Sequence, residues 1–322
     1  MTNQSLITVT HLSRHYGPIE AVSGINFELN RGEVLGFLGP NGAGKSTTMQ
    51  MITGNLAPSA GKISICGIDL LDRPKQAKAE IGYLPEQPPV YRDFTVDEYL
   101  RFCAQINRMS REAIPAAVDK AKARCGLEQV GRRLIGNLSK GYQQRVGIAQ
   151  AIIHSPAIVV LDEPTVGLDP IQIREIRRLI RELANEHGVI LSTHILPEVQ
   201  MTCDRVQIIN QGRLVFSDNI ANLDQRMRAT TLLVALRTPP AMDALSAIPG
   251  TTQVEALGEG RFRLHHAQEL NPAEELARKA VAEGWGLLEL TPERKSLEQV
   301  FVEITSTEHV EATAASEEEH AA

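Results

Sequence analysis

Short apolar runs separated by turn residues dominate this chain, and their spacing changes along it. Residues 6–90 alternate strand-like runs with Gly and Asn turns around a first helix. Residues 95–155 switch to helical spacing, with Val96, Tyr99, Leu100 and Cys103 on one face. Strand–helix alternation returns over 156–210. Ile158-Val-Val-Leu161 and Val189-Ile-Leu-Ser192 are the apolar runs expected of parallel strands buried on both faces. Residues 206–216 predict a hairpin turning at Asn210-Gln-Gly212. Together these segments predict an α/β core with a helical insertion.

Beyond about residue 225 the rhythm is different. Strands are predicted at 231–236 and 287–290, and helices at 241–248, 272–282 and 297–304. Residues 251–256 and 261–265 form a hairpin around Gly258-Glu-Gly260. The order β-α-β-β-α-β predicts a small α+β domain of ferredoxin-like type over 226–305. The acidic, Ala-rich stretch 306–322 predicts a disordered tail.

Composition narrows the picture. A chain of 322 residues has room for about two domains. A net charge of −6 argues against broad nucleic-acid binding by field alone, so no nucleic-acid partner is expected. Cys66, Cys103, Cys125 and Cys203 are scattered without a C-x-x-C pair, as reduced thiols in a cytosolic protein would be. The first residues carry no basic and apolar leader pattern. No apolar run approaches the ~20 residues that span a bilayer, so any membrane action needs another chain to span it.

The candidate chemistry begins at Gly39-Pro-Asn-Gly-Ala-Gly-Lys-Ser46, which matches G-x-x-x-x-G-K-[ST] at every fixed position. A strand-like run, 33–38, precedes it and a helix-capable run follows. The candidate phosphate-binding loop Gly39, Pro40, Asn41, Gly42, Ala43 and Gly44 can converge its backbone N–H groups, Pro40 having none, on a polyphosphate at a helix N-terminus. Lys45 supplies a point charge for the β- and γ-phosphates, Ser46 a hydroxyl for Mg²⁺, and Thr47 completes the set. The loop alone specifies a nucleoside triphosphate and no particular reaction.

Ile158-Val-Val-Leu-Asp-Glu163 ends an apolar strand in two carboxylates. Asp162 is placed to hold Mg²⁺ and Glu163 to polarise an attacking water. Between the two motifs, Leu138-Ser-Lys-Gly-Tyr-Gln-Gln-Arg145 sets Ser139 and Gly141 at a helix N-terminus, a second candidate phosphate site.

With these motifs in this order, residues 5–225 resemble the ATP-binding-cassette (ABC) family of P-loop NTPases. The phosphate loop, Leu138-Ser-Lys-Gly141, Asp162-Glu-Pro-Thr165, Gly167-Leu-Asp169 and Ser192-Thr-His194 resemble its Walker A, signature, Walker B, D-loop and switch histidine. The resemblance implies an ATPase domain at 5–225 with a helical subdomain at about 95–155, using ATP and Mg²⁺. It implies that Tyr16 stacks on adenine, His194 contacts the γ-phosphate and Asp169 links two sites across a dimer. It further implies a head-to-tail homodimer in which Lys45 of one copy and Ser139 of the other grip one ATP.

Two motifs depart from the family pattern. Lys140 and Tyr142 replace a Gly and the Gln of the usual Leu-Ser-Gly-Gly-Gln, and Glu86 stands in Tyr83-Leu-Pro-Glu-Gln87 where Gln is common. A carboxylate at Glu86 can still ligate Mg²⁺, with Gln87 adjacent. These departures resemble the branch paired with ABC-2 type export permeases, the gliding-motility and copper-accessory types. That branch implies an integral membrane permease as partner and a cytoplasmic chain held peripherally at the membrane.

A GTPase would need an Asn-Lys-x-Asp motif, which the sequence lacks. A soluble ABC ATPase acting on ribosomes or DNA stands as the alternative. It usually carries two cassettes or long coiled coils, and this chain has one phosphate loop and no long heptad stretch. A third reading makes the C-terminal domain a ligand-binding regulator.

Overall fold

The computed structural model describes residues 5–226, 231–267 and 270–293. The helix expected at 297–304 and the tail at 306–322 lie outside the described residues. The chain divides into two compact units, Met1–Ile220 and Ala221–Ala322.

The first unit begins with β1 (Ser5–Tyr16), β2 (Ile19–Asn30), β3 (Val34–Leu38), α1 (Lys45–Ile52), β4 (Ala60–Ile65), β5 (Ile68–Asp69), α2 (Pro74–Ala79) and β6 (Ile81–Leu84). The helical stretch follows as α3 (Val96–Ile106), α4 (Ile114–Cys125) and α5 (Lys140–Ile152). Then come β7 (Ile158–Asp162), α6 (Pro170–Ala184), β8 (Gly188–Thr193), α7 (Leu196–Thr202), β9 (Arg205–Asn210) and β10 (Arg213–Asn219).

Two sheets result. One is antiparallel, in the order β2-β1-β4-β5; the other has six strands, in the order β10-β9-β3-β8-β7-β6. In the second, β6, β7, β8, β3 and β9 run parallel and β10 closes the edge antiparallel. Every residue of β3, β7 and β8 is buried, which is why these segments read as unbroken apolar runs. The β9–β10 hairpin turns at Gln211 and Gly212, with φ of 45° and 80°, the left-handed pair that a tight hairpin turn requires.

The main core fills the space between the two sheets around α1. Leu6, Val9, Leu12 and Phe27 from the antiparallel sheet meet Leu35, Phe37, Val160 and Ile190 from the parallel one. Phe27 and Phe37 pack edge to face, with centroids 4.9 Å apart. Burying each such side chain contributes about 1.5–3 kcal/mol. Helix boundaries follow from caps. Thr95 and Glu98 form a capping box at the start of α3. Asp169 caps α6, accepting the N–H groups of Ile171 and Gln172, with Pro170 at the first helical position.

Helix α8 (Ile220–Arg226) spans the division between the units. The second unit holds β11 (Thr231–Leu236), α9 (Met242–Ser246), β12 (Thr251–Gly258), β13 (Arg261–His266), α10 (Ala273–Ala282) and β14 (Leu287–Pro292). Its sheet is antiparallel throughout, in the order β12-β13-β11-β14. With β-α-β-β-α-β connectivity this is the ferredoxin-like arrangement. Leu232, Val234, Leu236, Phe262, Leu264, Leu276 and Trp285 form its own apolar core.

Candidate active site

The register of the parallel sheet brings the sequence motifs together. Leu38 of β3 pairs with Thr193 of β8, and Asp162 of β7 with Ser192. The segments that leave these strands therefore emerge at one edge, the carboxyl edge, where open α/β sheets bind their ligands. They are the phosphate loop after β3, Glu163 after β7 and His194 after β8. Glu86 follows β6 along the same edge. Asn41, Gly42, Gly44, Lys45, Ser46, Thr47, Glu86, Glu163 and His194 line one cleft of about 290 Å³, with Ala21 and Val166.

Two glycines are fixed by space. A Cβ at Gly39 would stand 2.3 Å from the Ile209 carbonyl oxygen, so β9 closes directly on the loop. Gly44 has φ of 106°, and a Cβ there would meet the Ala21 carbonyl oxygen at 2.7 Å. The Ala43 N–H donates to the Pro40 carbonyl, and the Ala43 carbonyl accepts from Gly212 N–H at 2.9 Å, tying the loop to the β9–β10 hairpin.

Lys45 is only 5 % exposed. Its ammonium donates to the Gly39 and Pro40 carbonyls at 2.9 and 3.2 Å and stands 3.6 Å from Glu163 Oε1. His194 Nδ1 lies 3.0 Å from both Glu163 oxygens. A carboxylate only accepts, so Nδ1 carries the hydrogen in this contact. Glu163 thus sits between a buried cation and an imidazole. Its own φ is 48°, a left-handed value that few non-glycine residues adopt.

Asp162 is buried beneath them. Burial pushes its carboxyl above the usual carboxylate range, and the Glu163 charge adds to the rise. The Ser192 and Ser46 hydroxyls and the Lys45 charge pull the other way. Its Oδ1 accepts no hydrogen bond, although the atom is fully buried. A buried carboxylate oxygen without a partner is costly unless something of opposite charge engages it. Among the described residues no three His, Cys, Asp or Glu side chains form a metal cage. One carboxylate, the Ser46 hydroxyl and the exposed Glu86 carboxylate are hard oxygen donors. That sparse set fits Mg²⁺, which shares its coordination with phosphates and water.

Other expected site residues stand apart from this cleft. Tyr16 is 44 % exposed at the end of β1 and is not among the lining residues. The Arg14 guanidinium lies over one face of its ring, 4.7 Å from the centroid. Ser139 and Gly141 begin α5 and do not line the cleft of their own chain either. Ser139 caps that helix through a long 3.5 Å contact from Tyr142 N–H. Lys140 reaches back to the D-loop, where a Cβ on Gly167 would meet its Nζ.

The motifs left one buried carboxylate unread. Glu198 accepts the hydroxyls of Thr165 and Thr193, the residues that flank Glu163 and His194. The only sequence signal was a hydroxyl residue beside each motif, since Glu198 itself is remote from Glu163 in the chain.

Comparison with known proteins agrees with this geometry. The ABC transporter family model matches residues 22–166. The chain is 33% identical over 302 residues to the bacitracin transport ATP-binding protein BcrA of Bacillus licheniformis, covering 93% of this chain and 97% of that one. It is similar to cbiO1 of Clostridium perfringens, part of the ABC transporter complex cbiONQ. The TM-score is 0.64 at 31% identity, over 69% of this chain and 91% of that one. The dimeric bacterial ABC transporter cassette MJ0796 superposes with a TM-score of 0.61 at 25% identity, over 66% of this chain and 98% of that one. The chain belongs to the ABC transporter family, as an ATP-binding subunit with ATPase activity that drives transport.

Proposed function

We propose that this chain energises export through a separate ABC-2 type membrane permease, by closing head to tail with a second copy over bound ATP. The observation that carries this reading is the split between the two phosphate-binding elements. The cleft around Lys45 is built without the exposed Ser139 and the buried Gly141 at the start of α5, neither of which lines it. A signature helix that does not serve its own cleft is suited to serve another copy's. The dimeric cassette among the structural relatives supports the same reading.

In this reading the phosphate loop from Gly39 to Thr47 holds the triphosphate, with Lys45 released from its loop carbonyls toward the γ-phosphate. Tyr16 stacks on adenine with the ring face that Arg14 leaves free. Ser46 and Asp162 would hold Mg²⁺, with Glu86 of the cleft lining as a further oxygen donor. Bound there, Mg²⁺ supplies charge neutralisation and orientation of the phosphates. Glu163 takes a proton from the attacking water, and His194, fixed by its Nδ1 contact to Glu163, presents its other nitrogen to the γ-phosphate. Closure and reopening convert hydrolysis into movement of a partner.

No helix among the described residues is long and apolar enough to cross a membrane, so the permease would do the spanning. The chain would sit at the cytoplasmic face through it. Tyr91, Phe94 and Phe102 form an aromatic cluster beside α3, with Tyr91 exposed, where permease helices can dock. The test is capture from detergent-solubilised native membranes with tagged Glu163→Gln chain and ATP, read by mass spectrometry. A polytopic membrane protein at near-stoichiometric yield is expected. Recovery of ribosomal or DNA-associated proteins with no membrane partner would overturn the export reading and leave the ATPase intact.

A further inference from the structure

Glu198 is 1 % exposed, and its carboxylate lies outside the cleft lining. Oε1 accepts the Thr165 hydroxyl, and Oε2 accepts the Thr193 hydroxyl at 2.8 Å. Both threonines are buried. Thr165 stands two residues after Glu163, and Thr193 immediately before His194. The Arg177 guanidinium of α6, the helix that Asp169 caps, is 3.9 Å from Oε1. One carboxylate therefore joins the segments leaving β7 and β8 and the helix that follows the D-loop.

Packing alone does not call for this arrangement. An apolar residue of similar volume would fill the space without the desolvation cost of a buried carboxylate. Glu163, in contrast, needs external support. Its left-handed backbone, with φ of 48°, is strained and persists only where neighbours determine it. Its N–H donates to the Ser192 carbonyl at 2.9 Å on one side. The Thr165–Glu198 bond holds the chain on the other. On the His194 side, the Thr193 hydroxyl donates to Glu198 and accepts from Ile195 N–H at 3.1 Å, closing the turn that presents the imidazole.

We infer that Glu198 is a positioning residue for ATP hydrolysis. It sets the 3.0 Å geometry between Glu163 and His194 by holding Thr165 and Thr193, and it touches neither substrate nor cleft. This inference rests on the reading of Glu163 as the general base, so the test separates the two.

Steady-state hydrolysis, equilibrium binding of a fluorescent ATP analogue and thermal midpoints are compared for the full chain and four variants. The variants are Glu163→Gln, Glu198→Gln, Thr193→Val and Thr193→Ser. Gln keeps the volume of Glu198 but puts an NH₂ donor where one of the two accepting oxygens stood, so the two hydroxyl bonds cannot both persist in place. Misplacement of reacting groups costs up to about a hundredfold in rate, so Glu198→Gln should lower kcat about 10–100-fold while KM and analogue affinity stay unchanged. Thr193→Val should lower kcat in the same way, and Thr193→Ser should restore it. A wild-type kcat in Glu198→Gln and Thr193→Val, or a raised KM at unchanged kcat, would overturn the positioning role. So would a Thr193→Ser variant as slow as Thr193→Val. If Glu198→Gln does not fold, the Thr193 pair decides. Wild-type turnover in Glu163→Gln would instead remove the base assignment and this inference with it.

Discussion

The two units solve the same packing problem and treat charge in opposite ways. Each buries an apolar core of its own. In the second unit the charged side chains stay at the surface. Arg263 pairs with Glu255 at 3.2 Å and with Glu293 at 2.9 Å, and all three are partly exposed. In the first unit the buried acids and the buried lysine, Asp162, Glu163, Glu198 and Lys45, are all the buried Asp, Glu and Lys side chains among the described residues. Every one of them is tied to the carboxyl edge of the parallel sheet. Burying charge works against stability unless each group is engaged. A chain that keeps charges on the surface of one unit and concentrates them inside the other has the second set placed where the proposed chemistry needs it.

The sharpest way to break this contrast is at Glu163. Glu163→Gln keeps the shape and removes the proton acceptor. Turnover should fall about 10²–10⁴-fold, the range for loss of a general base, with ATP binding retained. Phosphate release at saturating ATP and binding of a labelled nucleotide read the two properties apart.

The opposite change belongs in the second unit. Leu264 is fully buried there. Leu264→Ala should cost that unit about 2–5 kcal/mol while kcat and KM for ATP stay at wild-type values. Urea unfolding beside an ATPase assay checks it, and a change in KM would show that the units share the nucleotide site.

A smaller effect is expected from two histidines of the first unit outside the cleft lining. His187 Nδ1 donates to the Pro156 carbonyl at 2.6 Å, and the Ile81 backbone stands against His154. Burial depresses both imidazoles below their ordinary value, and each faces the other or the Arg124 and Lys120 charges. Glu186, beside His187, acts in the opposite sense. The unfolded chain then takes up protons first. Stability is held above the ordinary imidazole value of about 6.5 and is lost as pH falls from there through the depressed values. Thermal midpoints should drop over that window, and His187→Gln should flatten the drop.

Much of the site was legible because its chemistry is local. The phosphate loop is a contiguous run, and β3 and α1 flank it as the apolar pattern required. Asp162 and Glu163 were legible as candidates because an apolar strand ending in carboxylates stood downstream of a phosphate loop. The C-terminal strands were legible from alternation and Gly turns, and β11 falls on 231–236. What escaped was assembled by the fold. Glu198 finds Thr165 33 positions away and Thr193 only five away, a pairing that exists only once β7 and β8 lie side by side. Helix α2 is six residues with little apolar content and started by Pro74, too short for periodicity to register. That Ser139 stands away from the cleft of its own chain was implied by the family resemblance alone, because no spacing rule reports which edge of a domain a helix start will face.

The contrast between the units turns most directly on Asp162, whose Oδ1 is buried and unpartnered and whose carboxyl is held above its usual range by burial. Thermal midpoints of wild type and Asp162→Asn, each with and without Mg²⁺ and ATP, measure whether that charge serves stability or chemistry. If it serves chemistry, Asp162→Asn melts no lower than wild type without ligand and loses the upward shift that Mg²⁺ with ATP gives the wild type. A variant that melts well below wild type without ligand, yet keeps the full Mg²⁺ and ATP shift, would contradict it and return Asp162 to a structural role.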